Sequence, residues 1–300
     1  MNKQVLISNF HPANTEALCR DFRALGYKVI MPANNWDGRI HYYFDNSQFG
    51  NELITWEQYE KLPPGDVLIG CYEQEGSFRG IANRHGDRMI LHVAGNNTPY
   101  SPGIKHLLSP DIQTYNNYDA PHKMLYWFPP VVYDLKKDSQ ASFDNGIIAS
   151  YIHEYPLYWK ESYQEAMRFE QEYGKIWLYG SNTRDGQLDH MSAQKRMVES
   201  KFTLYFKEKD CYGNTVLESM ALGTPVIAMR RFIEDKTLGM FFLNNKNSII
   251  VNNAKDAAIK ARIITINHYQ ELIWNSKETI KTLTADGPRL KQMDALLSQN

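Results

Sequence analysis

Short apolar runs alternate along this chain with segments whose apolar side chains recur every three or four positions. Residues 4–8 are a run of the first kind. Residues 14–25 place Leu18, Phe22 and Leu25 at helical spacing, Gly26 offers a stop, and residues 27–31 are apolar again. This rhythm predicts a strand, a helix and a second strand. It returns as a strand over 66–71, a helix over 77–84 and a strand over 88–94, followed by a Gly/Asn/Pro loop through Gly103. Residues 124–133 read as the last strand of this half, broken by Pro129 and Pro130.

The polar run 136–145 predicts a linker and divides the chain into domains 1–139 and 140–300. Beyond it the pattern predicts a strand over 146–152, a helix over 157–173 and a strand over 175–179 that ends in Gly180-Ser181-Asn182. A helix over 191–200, a strand over 202–206, a loop over 207–213, a helix over 214–222 and a strand over 226–229 follow. Residues 248–251 form a weaker strand, and the chain is mostly helical from 254, its last helices being candidates to pack back on the first domain. Such alternation predicts an α/β protein of two Rossmann-like domains, each a parallel sheet covered by helices, facing each other across a cleft. The stretch 32–65 departs from the rhythm. It holds Trp36, Tyr42, Tyr43, Phe44, Trp56 and Tyr59 and reads as an elaborated loop region, where binding surfaces tend to form.

Composition narrows the classes of function. With 300 residues, 43% of them hydrophobic and 22% charged, the chain is an ordinary globular protein long enough for two cores. No apolar run approaches the roughly 18 residues a membrane span needs, and the N-terminus lacks the apolar stretch of a secretory signal, so a cytoplasmic location is expected. Cys19, Cys71 and Cys211 are far apart and form no zinc-ligand spacing, which predicts neither disulfides nor a structural metal. The net charge is −1. Residues 1–139 carry 13 Lys+Arg against 15 Asp+Glu, and residues 140–300 carry 20 against 19, so no dominant polyanion-binding face is visible.

The segment from Asp210 to Ala228 carries the chemistry. Gly213 sits between Asp210 and Glu218, and a good helix-forming sequence follows it. The glycine admits a close ligand, and the first amides of the helix, at Asn214 and Thr215, make an anion site such as a diphosphate prefers. Glu218 is four residues after Asn214 and therefore lies on the same helix face. One carboxylate on each side of a phosphate site suits a molecule with sugar, diphosphate and ribose in a row.

Asp210-x7-Glu218, continued by Ser-Met-Ala-Leu-Gly-Thr-Pro-Val-Ile-Ala, resembles the Glu-x7-Glu signature of retaining family-4 glycosyltransferases of the GT-B fold. The match is strong over residues 202–229 and becomes a general pattern elsewhere. The resemblance implies that Asp210 binds the transferred sugar, Gly213 to Thr215 take the diphosphate and Glu218 binds the ribose. Asp210 is one methylene shorter than the usual Glu. Family members also place an Arg and a Lys after the first strand of the second domain; here only Lys160 stands at such a distance, with Lys207 and Lys209 as further cations. His92, at the end of an apolar run, resembles the family's strand-terminal His that faces the donor sugar. His11, in the first strand-to-helix loop, and Trp36 are acceptor-side candidates, and Gly180 with Ser181 resembles a loop near the nucleotide.

The expected reaction moves a sugar from a UDP- or GDP-sugar co-substrate to an acceptor hydroxyl, with retention and without cofactor or metal. An Asp-x-Asp metal motif is absent from the sequence, Glu208-Lys209-Asp210 being the nearest variant. Three alternatives stay open: an epimerase or phosphorylase on the same scaffold, a silent nucleotide-sugar-binding protein, and a transferase acting on modified DNA bases. The aromatics of 36–44 suit a glycan acceptor, and they would also suit a modified base in nucleic acid, which the neutral charge disfavours.

Overall fold

A computed structural model describes residues 3–7, 12–32, 52–62, 67–71, 89–92, 105–208 and 212–299. The chain forms two compact units, residues 1–129 with 284–300, and residues 130–283. In the first unit the described elements are β1 (Gln4–Ile7), α1 (Pro12–Ala24), β2 (Lys28–Pro32), β3 (Glu52–Ile54), α2 (Trp56–Lys61), β4 (Val67–Cys71), β5 (Met89–His92), β6 (His106–Ser109), α3 (Ile112–Asn117) and β7 (His122–Leu125). Their strands make one parallel sheet in the order β3-β2-β1-β4-β5-β6-β7.

Local chemistry explains how α1 feeds this sheet. Gly26 adopts φ +84°, and the amides of Gly26 and Tyr27 donate to the carbonyls of Arg23 and Phe22 at 2.9 Å each. Phe22 and Tyr27 then meet edge to face at 5.5 Å, the apolar contact that completes this helix stop. Lys28 is left to begin β2, paired with Gln4 of β1.

The second unit starts with α4 (Ser139–Asn145), inside the run that the sequence predicted as linker. Asp138 caps it by accepting from the Ala141 amide at 3.0 Å, and Gly146 ends it at φ +65°. Then come β8 (Ile148–Tyr151), α5 (Tyr155–Tyr158), α6 (Lys160–Tyr173), β9 (Trp177–Tyr179), α7 (His190–Glu199), β10 (Phe202–Tyr205), α8 (Asn214–Leu222), β11 (Val226–Met229), α9 (Arg230–Ile233), a π-helical turn (Leu238–Phe242), β12 (Ser248–Val251), α10 (Ala254–Ile263) and α11 (Ile266–Leu283). The helix expected over 157–173 is thus two, separated at Trp159. The weak strand 248–251 is real and pairs with β11 over four residues.

The second sheet is parallel throughout, in the order β12-β11-β10-β8-β9. All four residues of β10 and of β11 are buried, as expected of inner strands covered on both faces. Ile148, Phe169, Phe202, Phe206, Ile227 and Tyr269 belong to the apolar cluster beneath. The order reverses between β8 and β10, which makes their carboxyl ends the switch point where open α/β sheets bind ligands.

Residues 130–139, expected in the first domain, belong to the second unit. Gln194 donates to the Val131 carbonyl at 2.7 Å and accepts from the Tyr133 amide at 2.9 Å. Lys137 Nζ donates to the carbonyls of Val198 and Ser200 at 2.9 and 2.7 Å. The last helix, α12 (Asp286–Leu297), belongs instead with the first unit. There Arg289 makes two 2.7 Å bonds to the Asp21 carboxylate, which also accepts from the Tyr126 hydroxyl at 2.6 Å. Arg289 and Asp21 are 7% and 3% exposed, so the pair is bidentate and nearly dry.

Candidate functional site

The parallel second sheet brings its five strand ends to one edge, and most sequence-predicted donor residues follow β8, β9 and β10. Lys160 begins α6 after β8, Gly180 and Ser181 follow β9, and Gly213, Asn214 and Thr215 follow β10 at the start of α8. Asp210, His11 and Trp36 lie outside the described residues. His92 is the last residue of β5, in the first unit.

Two helix starts face this edge, and they differ. The Glu208 carboxylate accepts from the Ser162 amide at 2.9 Å and the Ser162 hydroxyl at 3.2 Å, while the Glu208 amide donates back to that hydroxyl at 2.7 Å. The start of α6 thus already holds an anion from the protein itself. At α8 the N-cap is Gly213, which has no side chain to cap with, and the helix's own bonding begins with the Val216 and Leu217 amides on the Gly213 carbonyl at 2.8 and 3.2 Å. The partial positive charge of a helix start favours an anion at this end.

Gly213 is needed for a reason the sequence did not suggest. Its φ is an ordinary −79°, yet a Cβ there would stand 2.8 Å from the Tyr205 hydroxyl and 3.1 Å from Leu238 Cδ1. The glycine lets α8 sit against the end of β10. Lys236, 8% exposed, fixes the same loop from behind by donating to the Glu208 carbonyl at 2.8 Å. Tyr155 donates to the Phe206 carbonyl at 2.7 Å.

Glu218 is 7% exposed, one turn inside α8, and His190 Nε2 at the start of α7 lies 3.1 Å from its Oε1. Gln194 Nε2 approaches the same imidazole nitrogen at 2.8 Å. Lys160 is exposed and has no ion-pair partner among the described residues. Lys207 Nζ lies 4.7 Å over the Trp159 ring, which adds a second cation near the β10 end.

His153, directly after β8, was missed by sequence reasoning. The rule that singled out His92, a histidine at the end of an apolar run, would have found it. Its Nδ1 accepts from the Ser181 amide at 3.0 Å and lies 3.1 Å from the Ser181 hydroxyl. Burial first, and the charge of Lys207 second, lower its pKa from the ordinary value. His190 and Lys236 were missed as well, since nothing local connects them to Glu218 or to the 207–208 loop.

Among the described residues no group of three or more His, Cys, Asp and Glu side chains could hold a metal ion, and no helix is long and apolar enough to cross a membrane.

No protein-family model matches the chain, and no curated protein matches it in sequence. Its fold is similar to that of several solved structures. HepE from Anabaena, in complex with UDP and glucose, superposes with TM-score 0.70 at 10% identity, over 100% of each chain. AviGT4, a glycosyltransferase involved in avilamycin A biosynthesis, gives TM-score 0.58 at 11% identity, over 99% of this chain and 97% of that one. TarM of S. aureus, in complex with fondaparinux, α-GlcNAc-glycerol and UDP, gives TM-score 0.58 at 15% identity over 80% of this chain, which spans 57% of the length of TarM. The shared feature is the fold, two Rossmann-like parallel-sheet units of the GT-B type.

Proposed function

We propose that this chain is a glycosyltransferase that moves a sugar from a nucleoside-diphosphate sugar to an acceptor hydroxyl, with retention and without a metal ion. One observation carries the reading. At the switch point of the second sheet, a helix start whose N-cap is a glycine stands one turn from a nearly buried carboxylate, Glu218, on the same helix. That spacing suits a diphosphate at the Asn214 and Thr215 amides and a ribose diol on Glu218. HepE and TarM, similar in fold, hold UDP.

In this reaction the bond from the sugar's anomeric carbon to the diphosphate breaks while the acceptor oxygen bonds to the same face of that carbon. The acceptor's proton passes to the departing phosphate oxygen. Charge growing on the nucleoside diphosphate is met by the α8 start and by Lys160 and Lys207. Asp210 orients the transferred sugar, and His92 is a second candidate contact to it. His11 and Trp36 serve the acceptor, a glycan or another hydroxyl compound.

The test offers UDP- and GDP-sugars with glycan, lipid, protein and hydroxymethylated-DNA acceptors and reads products by mass spectrometry. We expect one acceptor class to gain a hexose or related mass, matched mole for mole by free nucleoside diphosphate. A sugar altered without any acceptor, or no binding of any nucleotide sugar, would overturn the assignment.

A further inference from the structure

His153 sits in the most constrained backbone of the switch point. Among the described residues, the non-glycine residues with positive φ are Glu154 at 56° and Asn182 at 53°, and each left-handed residue costs about 1–3 kcal/mol. They are joined to each other. Asn182 Nδ2 lies 2.8 Å from both Glu154 carboxylate oxygens, and the Glu154 amide donates to the Ser181 carbonyl at 2.8 Å. Gly180, at φ +147°, lets the two loops close, because a Cβ there would lie 2.7 Å from the Ile152 carbonyl oxygen and 2.9 Å from His153 Cα. This ladder joins the end of β8 to the end of β9 outside the core.

Its product is a histidine of defined tautomer. The Ser181 amide can only donate, so His153 Nδ1 is unprotonated and the ring proton resides on Nε2. The Nε2 N–H has no hydrogen-bond partner among the described residues. It is a neutral donor at the carboxyl end of β8, the strand next to β10, whose chain leads into the α8 start. Lys207 adds positive charge nearby, which favours an anionic partner for this N–H.

We propose that His153 is a donor-binding residue that gives its Nε2 hydrogen to a phosphate oxygen of the nucleoside diphosphate, and that Gly180 and Ser181 are positioning residues that fix its tautomer. This rests on the glycosyltransferase reading and reassigns Ser181, whose amide and hydroxyl both face His153 rather than the ligand.

Two substitutions separate the ring nitrogens. His153→Asn keeps an acceptor near Nδ1 for the Ser181 amide and removes the distal donor. His153→Gln places an amide N–H near Nε2. Calorimetric titration uses UDP, GDP, their sugars and the nucleoside uridine on the full chain. We expect His153→Asn to weaken the matching nucleoside diphosphate about tenfold to a hundredfold, the worth of one hydrogen bond to an anion, and to leave uridine unchanged. His153→Gln is expected to recover most of that loss. Long-range proton–nitrogen spectra of histidine-labelled protein at pH 7.5 are expected to show His153 protonated at Nε2. If wild-type protein binds no nucleoside diphosphate, the reading beneath this inference fails with it. If wild type binds and His153→Asn matches it within twofold, or uridine weakens as much as UDP, or the proton resides on Nδ1, the role of His153 alone is overturned.

Discussion

Replacing Glu218 by Ala isolates the contribution of one carboxylate to donor binding. Glu218 is 7% exposed, so a ribose diol held by it would be screened from competing water. Hydrogen bonds to a charged group contribute about 1.5–3 kcal/mol each, and the diol supplies two. Water and the freed His190 imidazole offset part of that loss in the variant, since His190 Nε2 is 3.1 Å from Glu218 Oε1 in the parent. A net loss of about 3 kcal/mol remains, equivalent to roughly a hundredfold rise in Kd. Ala is the best helix former and sits here inside α8, so the fold is expected to persist and the thermal midpoint to move by only about 2–4 °C. Glu218→Gln, with one acceptor oxygen and no charge, is expected to lose about tenfold. Calorimetry with the nucleotide sugar that wild type binds best measures both, with thermal unfolding as control. Donor affinity within threefold of wild type for Glu218→Ala, in a folded variant, would refute the assignment of the ribose to this carboxylate.

Three further outcomes follow from the same geometry. Asp21→Asn removes the bidentate partner of Arg289, which is 7% exposed and keeps Asp286 at 2.8 Å, and urea unfolding of the first unit is expected to show a loss of about 1.5–3 kcal/mol; a loss under about 0.5 kcal/mol would contradict a dry pair. Gly180→Ala forces a Cβ to within 2.7 Å of the Ile152 carbonyl oxygen, so the second unit is expected to lose about 1–3 kcal/mol and donor affinity to fall with it, and unchanged affinity would separate the loop from the site. Because the His153 pKa is lowered in the fold, by burial first and Lys207 second, the unfolded chain binds this proton before the folded one does. Below the reference value of 6.5 stability therefore falls as pH falls, and wild type is expected to lose more between pH 7 and pH 5 than His153→Asn does, as unfolding midpoints across that range would show.

Local signals were enough for the architecture. Alternating strand and helix periodicity declared two parallel α/β sheets, and Gly26 marked a helix stop that the chain makes at φ +84°. The helix start at Asn214 and the placement of Glu218 on its face were legible because both depend on residues within one or two turns. The helix over Ser139–Asn145 was not, since Ser, Asp and Asn are poor helix interiors and only the Asp138 cap and Gly146 end hold it. Periodicity is equally silent on partners far apart in the chain. Arg289 meets Asp21 across 268 residues, and His153 meets Ser181 across 28. Those contacts depend on which strand ends are neighbours. That is set by sheet order, through the packing of buried strands such as β10 and β11, and it leaves no mark in the sequence around either residue. The sequence by itself therefore determined which segment starts a helix at a glycine and carries a carboxylate one turn in. Only the tertiary structure decided which histidines and lysines stand beside them.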